Sequence, residues 1–186
     1  MRNQPATRSL EQIINEVLIK EGHHSNDADD LGGSTTWGIT EAVARKNGYT
    51  GPMSAMTQAI ACDIYFNRYI KAPRFSDIHA ISALIGEEVI DTGINMGTSI
   101  AAKFLQRWLN TYNNSQAYYE DLIVDGHIGP ATLSALEAYL LRRGTEGEQI
   151  LWRSLNCSQG ARYLDISEAR EKNEKFIYGW MKNRIS

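Results

Sequence analysis

The chain has 186 residues, a net charge of −3 and a 42% share of hydrophobic residues. That is an ordinary globular composition, long for one compact domain and short for two large ones. Residues 1–96 carry 8 basic and 12 acidic side chains, and the remainder 11 and 10. No basic patch of useful size appears, which excludes nucleic acid as the main partner. No apolar run approaches the length of a membrane span, and residues 1–20 lack the apolar core and small-residue cleavage site of a secretory signal. The expectation is synthesis in the cytoplasm, no membrane insertion and assisted release. Cys62 and Cys157, far apart in sequence, read as buried free thiols.

In chain order, Leu10, Ile13, Ile14, Val17 and Leu18 recur at helical spacing and predict one buried helix face. Ser9-Leu10-Glu11-Gln12 reads as a capping box at its start, and Gly22 as its stop. Residues 22–36 are rich in Gly, Asp, Ser, Asn and Thr and predict loops and a short hairpin. Thr40 caps a helix over 41–47, closed by Gly48, and Thr57 caps another through Tyr69, ended at Ala72-Pro73. A helix over 81–92 is expected to break at Gly93, and one over 98–109 to follow. Residues 110–120 read as an exposed excursion. Asp125-Gly126-His127-Ile128-Gly129-Pro130 reads as a turn into a helix that starts at Pro130 and stops at Gly144. Thr145-Glu146-Gly147-Glu148 reads as a second capping box opening a helix to Asn156, with further helices at 158–168 and 171–183.

Glu21 is the leading candidate for chemistry. It extends the apolar stripe three residues beyond Leu18 and stands at a helix C-terminus, where the negative end of the macrodipole disfavours a carboxylate. Partial burial adds to this, and both effects favour the protonated acid needed to protonate a leaving oxygen. Asp30 follows on a Gly-rich loop, then Thr35, Thr36 and Trp37. A second carboxylate aided by a hydroxyl positions water or supports positive charge on a sugar ring. His23-His24 beside Asp27, Asp29 and Asp30 lacks the spacing of a zinc set, and the acidic loop lacks EF-hand spacing. Neither a metal nor an organic cofactor is expected.

Glu21-Gly22, Ser25-Asn26-Asp27, Asp30, Gly32-Gly33, Thr35 and Trp37-Gly38-Ile39-Thr40 resemble the N-terminal signature of glycoside hydrolase family 108. These are N-acetylmuramidases of phage endolysins and of phage-derived secretion systems. The resemblance continues through Asp91-Thr92-Gly93-Ile94-Asn95-Met96-Gly97 and Leu105-Gln106-Arg107. The box at 125–133 and the C-terminal Gly160-Ala161-Arg162-Tyr163, Arg170, Asn173, Phe176, Gly179-Trp180 and Arg184 resemble the peptidoglycan-binding domain usually attached.

The resemblance implies an all-α protein with a small β-hairpin: a lysozyme-like domain over 1–95 and a helical peptidoglycan-binding domain over 96–186. It implies Glu21 as general acid, with Asp30 and either Thr36 or Thr35 as its partner. Two departures stand out: His23-His24 where Gly-Tyr is common, and Tyr69-Ile70 where Tyr-Trp is common. Trp37, Asp91, Asn95, Arg162, Tyr163, Arg170 and Asn173 are the candidate substrate contacts. Helix capping competes with sugar binding at Asp91 and Asn95, and a solvated helical face competes with a carboxylate-binding groove at the C-terminal four. Trp152, Trp180, Phe176 and Tyr178 read as core. The expected partners are peptidoglycan glycan strands and peptide stems, with the chain a monomer. Competing readings are a lytic transglycosylase using the same acid and a non-catalytic wall-binding protein.

Overall fold

The computed structural model describes residues 7–21 and 35–185, with Lys20 and Glu21 placed as backbone. The architecture is all-α with one minimal hairpin, as the sequence predicts. It packs as two compact units, residues 1–72 and 73–186.

In the first unit, helix α1 (Leu10–Glu21) buries Ile13, Ile14, Val17 and Leu18, the anticipated stripe. Its start is the reciprocal capping box: Gln12 N–H donates to Ser9 Oγ at 3.2 Å, and Ser9 N–H donates to Gln12 Oε1 at 2.8 Å. Strands β1 (Thr35–Thr36) and β2 (Ile39–Thr40) pair antiparallel through a Trp37-Gly38 turn with φ of 56° and 71°. Positive φ at both turn residues matches the right-handed twist of the strands. Thr40 then caps α2 (Glu41–Lys46), and Thr57 caps α3 (Gln58–Phe66), each hydroxyl accepting an N–H three residues on. A π-helical turn over Asn67–Lys71 leads to the Ala72-Pro73 step.

The second unit begins with α4 (Phe75–Ile81), an element the sequence reading omits. Ser82 separates it from α5 (Ala83–Met96) by accepting the Ile85 N–H. The expected break at Gly93 does not occur, and the stop is Gly97, at φ 97°. Gly93 serves packing instead: a Cβ there would lie 2.7 Å from the Phe75 ring. Two helical turns earlier, a Cβ on Gly86 would lie 2.4 Å from the His79 Cα. These glycines let α4 lie directly on the α5 backbone.

Helix α6 (Thr98–Thr111) buries Ala101, Ala102, Leu105, Gln106 and Leu109. Residues 112–120 are more than an exposed excursion. Asn113 is wholly buried and folds them around itself, donating to Tyr119 O and Asp121 Oδ1 and accepting the Tyr118 and Tyr119 N–H groups. The segment α7 (Pro130–Glu168) consists of two helices meeting at Gly144, whose φ of 59° and ψ of −154° are non-helical, so the expected stop there holds, whereas the second helix runs on through Asn156 to Glu168 instead of breaking. The predicted capping box at 145–148 gives way to a tertiary bond, with Glu148 accepting from the Ser82 hydroxyl at 2.6 Å. Helix α8 (Glu174–Arg184) completes the chain and has no buried residue.

Both thiols are free, but they are not buried together in the core: Cys62 is half-buried and Cys157 exposed. Among the described residues no helix is long and apolar enough to cross a membrane.

Candidate active site

In the N-terminal unit the hairpin packs on a 3-10 turn over Met53–Ala55. Glu21 is the last residue of α1, the position anticipated for the acid. Its carboxyl group, like Asp30 and His23-His24, lies outside the described residues. The hairpin is anchored from within. Thr36 is 3% exposed and its hydroxyl donates to Met53 O at 3.1 Å. Trp37 is 7% exposed and its indole N–H donates to Met56 O at 3.1 Å. The indole N–H of Trp37 is thus engaged in anchoring the hairpin. A bulky residue at positive φ is costly, and burying the indole with its N–H satisfied offsets that strain. Thr36 is likewise committed to holding the turn, whereas Thr35 beside it is half-buried.

The C-terminal unit rearranges the other candidates. Asp91 is an internal ion-pair partner: Arg184 Nη1 lies 2.7 Å from Oδ1, and Gln159 Nε2 donates to Oδ2 at 2.9 Å. Asn95 donates to the Asp91 carbonyl at 2.7 Å, local helix bonding rather than a cleft wall. Tyr163 is 3% exposed and stacks on Trp180 with ring centroids 5.1 Å apart. Asn173 donates to Ile166 O at the α7–α8 junction. Arg162 and Arg170 remain exposed, the former 3.9 Å from Asp165. The four C-terminal candidates therefore do not converge on one groove. The aromatics predicted as core are also redistributed, since Tyr178 is 78% and Phe176 46% exposed.

One carboxyl that the sequence reading passed over has the electrostatics of an acid catalyst. Glu88, 6% exposed on α5, is pushed up to about 8, by burial first and by the Asp91 charge second. Bonds from Asn156, at 2.7 Å, and Thr92 pull the other way and do not overcome burial. Glu88 is nevertheless sealed between α5 and α7, so it is a neutral acid of the core rather than a proton donor to substrate. Its Oε1, the Gln159 Oε1 and the Tyr163 Oη are all buried without a hydrogen-bond partner among the described residues. Nothing in local sequence marks such a residue, because its partner Asn156 lies 68 positions away.

The box at 125–133 proves to be scaffold. Gln106, 1% exposed, donates to Asp125 Oδ1, His127 O and Thr132 Oγ1, and accepts the Gly126 N–H at 2.9 Å. The Gln106 bond and the His127 N–H hold the Asp125 carboxyl below its ordinary value. Pro130 then starts α7. Among the described residues no group of three metal-ligating side chains occurs.

The class, a glycoside hydrolase joined to a helical peptidoglycan-recognition domain, comes from the comparisons. Residues 14–97 match the glycosyl hydrolase 108 family, and residues 100–185 match a predicted peptidoglycan domain. The N-terminal half is thus similar to glycoside hydrolase family 108 and the C-terminal half to a peptidoglycan domain, a pairing that supports peptidoglycan hydrolysis at the cell wall. The solved structure of Brucella abortus SagA shares the fold, with a TM-score of 0.62 and 23% identity, over 92% of this chain and 86% of that one. No curated protein matches the sequence.

Proposed function

We propose that the chain is an N-acetylmuramidase hydrolysing the β-1,4 bond between N-acetylmuramic acid and N-acetylglucosamine, with Glu21 as general acid. The observation that carries this is the place of Glu21: the last residue of a helix whose buried stripe runs up to it, inside the segment matched to family 108. There the helix dipole opposes ionisation and favours the protonated form. Asp30 is the second carboxylate, orienting water or supporting oxocarbenium charge. Thr35 is the assisting hydroxyl, since that of Thr36 is committed to Met53.

The division of labour falls at 95/96, close to where the two family matches meet. This functional boundary differs from the packing boundary at 72/73: α4 and α5 lie within the hydrolase match yet pack with α6 and α7. The biological setting is wall opening, in phage lysis or in toxin export.

The test is release of reducing ends from purified peptidoglycan by wild type and Glu21→Gln, with mass spectrometry of the products. Reducing muramic ends from wild type alone support the reading. Anhydro ends would make the protein a transglycosylase, and equal release by both proteins would remove Glu21 from the mechanism.

A further inference from the structure

A cavity of about 750 Å³ lies on the C-terminal unit, lined by Tyr112, Tyr139 and, on either side of the Gly144 kink in sequence, Arg142, Arg143, Glu146 and Ile150. A Cβ on Gly144 would meet nothing within 4 Å, so this glycine is required for its backbone angle rather than for space. Gly147 serves space instead, as its Cβ would fall 2.1 Å from that of Arg143. The floor is rigid. Tyr112 and Tyr139 stack at 5.6 Å, the Tyr112 hydroxyl sits 2.6 Å from Ser154 Oγ, and the Tyr139 hydroxyl donates to Gly147 O at 2.8 Å.

The charges of this cavity are not consumed internally. Arg142 lies 3.9 Å over the Tyr118 ring, a contact that leaves the edge of its guanidinium available. Among the described residues no carboxylate pairs with Arg142 or Arg143, and no cation pairs with Glu146. Two planar guanidinium forks lining a cavity that also holds aromatic rings suit carboxylates, and a neighbouring carboxylate suits an ammonium. A peptide with free carboxylates and one free amine presents both.

We infer that this cavity is the subsite for the peptide stem of peptidoglycan, with Arg142 and Arg143 holding its carboxylates and Glu146 its free amine. The inference rests on the reading of the chain as a peptidoglycan hydrolase. Its residues all lie within the segment matched to the predicted peptidoglycan domain. An uncharged glycan stripped of stems offers nothing for the arginines, so the site reads the peptide rather than the sugar.

The experiment uses the full chain and stem peptides released from sacculi by an amidase, with binding followed by NMR titration. The Arg142→Gln/Arg143→Gln double variant should bind these peptides about tenfold or more weakly, the loss of one charge-assisted bond or more. Both proteins should release reducing ends from stem-stripped glycan at equal rates. Should the double variant unfold early, Glu146→Gln, a neutral isostere on an exposed position, reads the amine contact in its place. Unchanged peptide affinity in the folded double variant, or in Glu146→Gln when that variant is used instead, would overturn the inference. Failure of wild type to cut any peptidoglycan would instead overturn the proposed function, while peptide binding is still read separately.

Discussion

The two units handle carboxyl groups in opposite ways. In the N-terminal unit, Glu21 sits at a helix terminus, and Thr36 and Trp37 are spent on anchoring a two-residue hairpin. In the C-terminal unit, Glu88 and Asp91 lie mid-helix and are enclosed by Asn156, Gln159 and Arg184. A raised affinity for the proton is therefore insufficient evidence for acid catalysis. Glu88 has it chiefly through burial, with the Asp91 charge adding to it, and that burial keeps substrate away. A catalytic acid needs the same penalty on its anion together with a path to the glycosidic oxygen.

The sharpest way to break this comparison is to neutralise each glutamate in turn. Glu21→Gln should lower reducing-end release by roughly 10²–10⁴-fold, the usual contribution of a positioned acid, with thermal unfolding unchanged. If its activity survives, the distinction between terminus and core acids fails. Gln106→Ala should leave chemistry on soluble glycan intact but destabilise the C-terminal unit by about 2–4 kcal/mol in urea unfolding, since it orphans buried groups of the 125–132 turn.

Glu88→Gln should act through pH. The folded-state value of about 8 lies above the usual 4.5, so the folded chain retains a proton that the unfolded chain releases. This contribution to stability is full below about pH 4.5 and is lost as pH rises through about 8. The glutamine variant should therefore unfold at a higher temperature than wild type at pH 9 and show a flatter profile between pH 5 and pH 9, as followed by circular dichroism. An unchanged profile would mean that Glu88 ionises freely. The smallest effect expected is at the hairpin: Trp37→Phe removes one buried bond and should cost about 1 kcal/mol in stability.

Legibility in the sequence followed the range of the interactions. The stripe on α1, the Ser9 box, the caps at Thr40 and Thr57 and the Pro130 start are set within four residues, and each was readable. The end of α5 was misplaced because Gly93 answers to Phe75 on another helix. The run of helix past Asn156 was missed because Asn156-Cys157-Ser158 looks like a break in one dimension, whereas Asn156 is held by Glu88 on another helix. Trp37, Asp91 and Tyr163 looked like ligand contacts because exposed and buried aromatics or acids share one letter. Their partners Met56, Arg184 and Trp180 come from the fold.

Gly86 and Gly93 carry a last consequence. They occupy one face of α5 at an interval of seven, and each is held by what presses on it, a main chain in one case and a ring in the other. The α4–α5 hairpin is thus joined like two boards planed flush, with no gap for even a methyl group. In a library randomising both positions, alanine should be rejected at 86, where unyielding backbone blocks it, and tolerated in part at 93, where the Phe75 ring can swing aside.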